Sequence, residues 1–93
     1  MMKKHYSPGI PVILNQTKHD GKSAFIYLGK KHNNKKKFFS LSENSNLDEA
    51  ASNLYKIFRL IKKSGYKKIQ IGKIPNLGSG IAINDRIQRA SNS

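Results

Sequence analysis

Two glycines near the carboxyl end form the sequence pattern most capable of chemistry. Gly78 and Gly80 follow a β-branched run that ends at Pro75, and an Asn-Asp-Arg trio comes shortly after, at 84–86. Backbone N–H groups of a glycine-containing turn at a helix start can bind a phosphate. The G-x-G spacing lacks a third glycine and a following Lys-Ser/Thr pair, however, so a nucleotide site is weakly indicated. The pattern favours a tight turn that lets the next helix pack close to a sheet.

Titratable residues elsewhere are sparse and scattered. The histidines His5, His19 and His32 fall in predicted loops, and none has a second ligand type at helical spacing, so we predict no metal site. Of the five acidic residues, Asp48 and Glu49 are explained by helix capping. No serine has the context of a nucleophile elbow. The residues alone therefore predict no catalytic site in this chain.

The net charge of +13 on 93 residues has two explanations. Lysines that neutralise phosphates release counterions, so the charge suits a nucleic-acid partner. Only three of the 18 basic residues are arginine, and Lys, Asn and Ile are all encoded by A/T-rich codons, so coding bias is the alternative. Either origin predicts weak, non-specific contact with tRNA through the lysines. The basic stretch 30–37, followed by Phe38 and Phe39, is either a basic-aromatic RNA surface or a solvated loop before a buried strand; we favour the loop.

Length and composition predict one small domain with one hydrophobic core. The sequence has no cysteine, which excludes disulfides and thiolate metal sites and favours a cytoplasmic location. No apolar run approaches about 18 residues, so we predict no membrane partner. The apolar stretch 9–14 is too short and too interrupted by proline for a signal-peptide core.

Hydrophobic periodicity predicts four strands and two helices. The predicted strands are 10–14, 23–28, 37–42 and 68–74, and the predicted helices are 47–63 and 79–90. The strand-helix-strand-helix order at the carboxyl end favours parallel pairing there. Only about seven residues join the first two strands, too few for a parallel crossover between neighbours. Those strands are therefore antiparallel neighbours, or they are not adjacent.

The first helix has the clearest local signals. Asn46 is a predicted N-cap, with Glu49 in the reciprocal position of a capping box, and Gly65 is a predicted left-handed C-terminal cap. Its apolar residues repeat at three- and four-residue spacing. They are Leu47, Ala50, Ala51, Leu54, Phe58 and Ile61, with Tyr55, Ile57 and Leu60 widening the same face. On the second helix Ile83, Ile87 and Ala90 form one stripe.

The two ends of the chain resemble one known family. The segment Gly78-x-Gly80-x-Ala-Ile-Asn84-Asp85-Arg86 resembles the C-terminal signature of the accessory domain in long-form threonylcarbamoyl-AMP synthases. In that family a YrdC-type catalytic domain is followed by a linker that reads approximately Ser-Pro-Gly-Met and then His-Tyr-x-Pro. His5-Tyr6-Ser7-Pro8 resembles the end of that linker. The resemblance covers essentially the whole chain, and its ends are more specific than its middle.

The resemblance implies a small Rossmann-like α/β domain with about four mostly parallel strands and two helices. Residues 1–9 would be the remnant of the interdomain linker, and 10–93 the accessory domain. His5, Tyr6 and Pro8 would contribute to a lid over the catalytic pocket. The signature residues, which include Asn84, Asp85 and Arg86, would hold the domain's own structure or its contact with the catalytic domain.

The family enzyme is a nucleotidyltransferase of tRNA modification. It makes threonylcarbamoyl-AMP from L-threonine, bicarbonate and ATP, and the product serves threonylcarbamoyladenosine formation. The ATP-binding catalytic domain has no counterpart in this sequence, so we expect no cofactor in this chain and no activity alone. The expected partner is a YrdC-type catalytic domain or subunit. The alternatives are a free-standing basic RNA-binding module and an inactive remnant of a split gene.

Overall fold

The computed structural model describes residues 9–31 and 36–92. Its elements follow the predicted order, and the fold class is confirmed as a layered α/β domain. Both helices match their predicted bounds to within one residue, whereas the strands are shorter. The elements are β1 (Val12–Ile13), β2 (Ala24–Tyr27), β3 (Phe38–Ser40), α1 (Leu47–Lys63), β4 (Ile69–Ile71) and α2 (Ser79–Ser91).

The four strands form one sheet in the order β1-β4-β2-β3, and every neighbouring pair is parallel. The first two strands are therefore not adjacent, which is the second of the two alternatives left open by the short connection. The strand latest in the sequence, β4, lies between them. All strands start at one edge of the sheet, which we call the amino edge, and end at the opposite carboxyl edge.

The start of α1 differs in detail from a simple capping box. The Glu49 backbone N–H donates to the Asn46 side-chain oxygen at 2.9 Å, as predicted. The Glu49 carboxylate instead accepts from the Ser42 hydroxyl at 2.5 Å, and the Ser42 oxygen accepts from the Asn46 N–H at 3.0 Å. The Ser42 hydroxyl thus lies between the Asn46 N–H and the Glu49 carboxylate, which a simple capping box would join directly. It also connects the segment after β3 to the start of the helix. At the other end of α1, Gly65 has the predicted left-handed conformation, with φ of 89°.

Both helices contribute to one hydrophobic core. The predicted stripes are buried, including Leu54, Phe58 and Ile61 of α1 and Ile83 and Ile87 of α2. They pack with alternate residues of the central strands, which are Ala24, Ile26, Ile69 and Ile71. The described residues include no helix with the length and apolarity that crossing a bilayer requires.

The prediction that Leu60 belongs to the apolar face of α1 was wrong. Leu60 is 48% exposed. A helix turns about 100° per residue, so the residue before the fully buried Ile61 points away from the core. Tyr55 and Ile57, by contrast, are partly buried against the core.

The other face of the sheet is covered by the loop between β1 and β2. Phe25 and Gln70 are paired neighbours on β2 and β4, and both are buried on this face. The Gln70 amide donates to the side-chain oxygen of Gln16 at 2.8 Å and to the Lys18 carbonyl at 2.9 Å. Its oxygen accepts from the Asp20 N–H at 2.9 Å. One buried side chain therefore attaches residues 16–20 to the sheet.

Candidate functional site

The turn between β4 and α2 brings the carboxyl-terminal glycines against the end of the strand. Gly78 has φ of 53° and ψ of −136°, in the left-handed half of backbone space where glycine is favoured. Gly80 is buried, and a Cβ placed on it would lie 1.9 Å from the Pro75 carbonyl oxygen. Only a residue without a side chain fits at Gly80, so Gly80 allows the helix to approach Pro75 closely, whereas Gly78 provides the backbone conformation of the turn.

The polar residues of α2 are occupied by contacts within the domain. The Asn84 amide donates to the Ile74 carbonyl at 3.1 Å and to the side-chain oxygen of Asn76 at 3.3 Å, which ties the helix to the turn. The Arg86 guanidinium carbon lies 5.9 Å from the centre of the Tyr55 ring on α1, a cation–π distance.

Helix α2 makes two further polar contacts, one ion pair on its own surface and one hydrogen bond to α1. Asp85 pairs with Arg89 at 3.1 Å, but both side chains are more than half exposed, so this pair adds little stability. The Ser79 hydroxyl donates to the Asp48 carboxylate, which joins the first turns of the two helices. A carboxylate already lies at the start of α2 and would repel a phosphate there. The local electrostatics therefore disfavour the nucleotide interpretation of the turn.

The same turn carries two exposed apolar side chains. Leu77 is 62% exposed and Ile81 is 55% exposed. They lie within one turn of each other, because the Leu77 carbonyl accepts from Gly80 and the Gly78 carbonyl accepts from Ile81. The turn is thus fixed on its inner side by Gly80 and apolar on its outer side. We call Leu77 and Ile81 the apolar patch.

A second polar cluster lies at the amino edge of the sheet, around Asp20. One Asp20 oxygen accepts from the backbone N–H groups of Lys22 at 2.8 Å and Ser23 at 2.7 Å. The other accepts from the Ser23 hydroxyl at 2.7 Å and lies 3.1 Å from the Lys68 ammonium. The backbone and hydroxyl hydrogen bonds from Ser23, with further donors from Lys22 and Lys68, hold the pKa of Asp20 well below its usual range.

This lowered pKa predicts a pH-dependent contribution to stability. The folded carboxylate keeps its charge at pH values where an unfolded aspartate, with a pKa near 4, takes up a proton. The stability from Asp20 is therefore present above about pH 4 and is lost as the pH falls below it. We expect Asp20→Asn to be less stable than wild type at pH 7, with the gap narrowing toward pH 2. Urea denaturation at pH 7 and pH 2 measures the free energy of unfolding of both proteins. A difference between them that does not change with pH would contradict this prediction.

Comparison with known proteins identifies the domain. A family model described as "Threonylcarbamoyl-AMP synthase, C-terminal domain" matches residues 1–92. The chain belongs to this family. Among solved structures, the fold is similar to the crystal structure of P. abyssi Sua5 complexed with L-threonine, with a TM-score of 0.71 and 22% sequence identity over 95% of this chain. No curated protein matches the chain significantly.

The similarity to the Sua5 structure shows a shared fold, which confirms the predicted α/β class. The chain spans 30% of the length of that Sua5 chain. Membership of the threonylcarbamoyl-AMP synthase family confirms the resemblance that the two ends of the sequence indicated. The division into a linker at 1–9 and a domain at 10–93 stays a prediction.

The residues that resemble the family signature lie in one region of the structure. Gly78, Gly80 and Asn84 shape the β4–α2 turn, Arg86 reaches α1, and Asp85 lies exposed on the helix. These contacts suit a role in the domain's own architecture. A role in contact with a catalytic domain stays a prediction.

Of the histidines and predicted linker residues singled out in the sequence, only His19 can be placed. The predicted linker residues His5, Tyr6 and Pro8 lie outside the described residues, as does His32. The ring of His19 packs edge-on against Phe38 at 4.8 Å and against Phe25 at 5.9 Å, on the sheet face away from the helices. Within 9–31 and 36–92, no group of three or more potential metal ligands occurs.

Sequence reasoning missed the Asp20 cluster. It interpreted Asp20-Gly21 only as a turn signal. The serine three residues after the aspartate was the available clue, since aspartate side chains in turns accept from backbone groups two and three residues ahead. The pairing with Lys68 joins segments far apart in sequence and had no local signal.

Proposed function

We propose that the chain is the accessory domain of a threonylcarbamoyl-AMP synthase and acts in tRNA threonylcarbamoyladenosine modification. A YrdC-type catalytic domain or subunit supplies the reaction of L-threonine, bicarbonate and ATP, and ATP binds to that partner. The observation that carries the proposal is the family match over residues 1–92, combined with a chain that spans 30% of the similar Sua5 chain.

The apolar patch is the proposed contact with the catalytic partner. Most large apolar side chains of the described residues are buried, whereas Leu77 and Ile81 are more than half exposed on a turn that Gly80 and Asn84 fix in place. Because contacts within the domain fix the backbone of this turn, binding costs little backbone conformational freedom, which favours association. Leu77 directly precedes the segment that resembles the family signature, and Ile81 falls within that segment at an unspecified position.

Gly9, the first described residue, lies beside the Lys62 side chain at the end of α1, on the amino edge. By resemblance, His5, Tyr6 and Pro8 precede it in a linker and would close over the partner's catalytic pocket.

The direct test is reconstitution with a YrdC-type catalytic protein. We expect the chain to co-purify with that protein and to change its rate of threonylcarbamoyl-AMP formation, measured as pyrophosphate release with threonine, bicarbonate and ATP. The chain alone should give no turnover. Absence of both association and a rate effect would contradict the proposal and would favour the inactive-remnant alternative.

Polar substitution of the apolar patch is expected to weaken this association. The double variant Leu77→Ser with Ile81→Ser should raise the dissociation constant at least about tenfold, which corresponds to about 1.4 kcal/mol. Its stability should change little, because both side chains are exposed. The matched control is Ile13→Ser with Leu60→Ser, two other exposed apolar residues on different elements. Equal weakening by both pairs, measured by calorimetry, would rule out the patch as the contact.

A further inference from the structure

Positive charge is concentrated at the amino edge of the sheet. Strands β2 and β3 are preceded there by Lys22 and Lys37, and the Lys37 ammonium donates to the Gly21 carbonyl at 2.7 Å. Helix α1 runs back to the same edge, where its last turn and the following segment carry four more lysines. We call the set the amino-edge basic face; its members are Lys22, Lys37, Lys62, Lys63, Lys67 and Lys68.

An open depression lies within this face. Its volume is about 320 Å³, and its lining includes Lys22, Lys67, Lys68 and Tyr66. The Tyr66 ring is partly buried and packs edge-on against Phe39 at 5.9 Å, so it forms a fixed wall. The depression is thus a concave surface with cationic sides.

The one acidic residue at the depression is already compensated. Asp20 lines it, but its carboxylate accepts two backbone N–H groups and the Ser23 hydroxyl, and it pairs with Lys68 at 3.1 Å. Lys22 and Lys67 remain to act on an incoming anion. The lysines in the last turn of α1 also outweigh the partial negative charge of a helix C-terminus.

The acidic residues of the helical layer lie mainly at the other edge. Glu43 follows β3, and Asp48 and Glu49 lie in the first turn of α1, so all three are at the carboxyl edge. Three lysines that follow strands also lie at that edge and balance these carboxylates, whereas the six lysines of the basic face outnumber the one acidic residue at the depression. A polyanion is therefore attracted more strongly to the amino edge than to the carboxyl edge.

We propose that the amino-edge basic face binds the phosphate backbone of an RNA. The depression is lined by three lysine side chains and one aromatic ring, and none of the exposed large apolar side chains lines it, which suits RNA better than a lipid surface. The proposal does not depend on docking to a catalytic partner. It rests on the proposed function only for the choice of tRNA as the RNA.

Two triple variants with the same change of charge test the proposal. The first, Lys22→Gln, Lys63→Gln and Lys67→Gln, removes three exposed lysines from the basic face. The second removes three exposed lysines that follow strands at the carboxyl edge. Its substitutions are Lys30→Gln, Lys31→Gln and Lys73→Gln. Neither set touches Lys68, whose pairing with Asp20 supports the fold.

The measurement is binding of purified bulk tRNA to the isolated chain, by fluorescence anisotropy across a salt series. The first triple variant should bind at least about tenfold more weakly at 150 mM salt, and the slope of log K against log salt should fall by about two to three. The second should stay within about threefold of wild type. Circular dichroism melting checks that both variants fold.

Two outcomes would overturn the proposal. Equal losses for the two triple variants would mean that RNA is attracted only by the overall charge of +13. No tRNA binding by the wild-type chain at low salt would rule out an RNA surface altogether. Neither outcome bears on the proposed accessory role, which is measured by association with a YrdC-type protein and by its synthase rate.

Discussion

Gly80→Ala is expected to destabilise the domain by about 3 kcal/mol or more, because overpacking against fixed backbone is costly. The added methyl carbon would lie 1.9 Å from the Pro75 carbonyl oxygen, and a backbone atom cannot move aside as a flexible side chain can. Relief requires α2 to shift away from the end of β4, which would open the core around Ile83. The free energy of unfolding, measured by urea titration, reports the loss.

The sign of the expected stability change distinguishes this close contact from an effect of helix propensity. In an ordinary helix interior, Gly→Ala stabilises by up to about 1 kcal/mol. The matched control is Gly72→Ala, where the nearest heavy atom to an added Cβ is a ring carbon of Phe25 at 3.5 Å, an ordinary contact distance. We expect the control to change stability by less than about 1 kcal/mol. A Gly80→Ala protein as stable as the control would show that the turn is not held by this close approach.

Gln70→Leu is expected to cost about 2–3 kcal/mol, since it leaves buried polar groups without partners. Gln70 is 4% exposed, and its amide group makes three hydrogen bonds to the loop between β1 and β2. Leucine fills a similar volume but satisfies neither the Asp20 N–H nor the Lys18 carbonyl. The loop should detach locally before the core unfolds. Amide hydrogen exchange of residues 16–20 should accelerate at least tenfold, as each tenfold corresponds to about 1.4 kcal/mol.

A surface substitution provides the comparison for Gln70. Gln88→Leu makes the same chemical change on the exposed side of α2, and we expect it to alter stability by less than about 0.5 kcal/mol. Unchanged exchange in the loop of the Gln70 variant, despite a lower overall stability, would mean that the side chain serves the core rather than the loop. The two readouts therefore distinguish loss of packing from loss of the loop's attachment.

Local signals in the sequence predicted the helices well. The Asn46 cap, the Gly65 terminus and the buried stripe of α1 all depend on neighbours within four residues, so periodicity and capping rules identify them. The two terminal motifs likewise indicated the family, which the match over residues 1–92 confirms.

Long-range features could not be predicted in the same way. No pattern of neighbouring residues predicts that β4 lies between β1 and β2, because the order of strands depends on pairing between segments far apart in the sequence. Gln70 interrupts an isoleucine run, and its burial depends on a loop 50 residues earlier that provides its partners. The same holds for the pairing of Asp20 with Lys68. The turn at Gly78 and Gly80 was identified, but the outward position of Leu77 and Ile81 needed the folded chain.

The central position of β4 has a consequence for synthesis on the ribosome. In the sheet β1 has β4 as its neighbour, while β2 pairs with β4 and β3, so the amino-terminal strand has no partner until residues 69–71 have left the exit tunnel. A nascent chain that ends within α1 can form at most the β2–β3 pair. Most of the sheet therefore forms only after β4 has emerged, and a premature stop anywhere before β4 yields no sheet that includes β1.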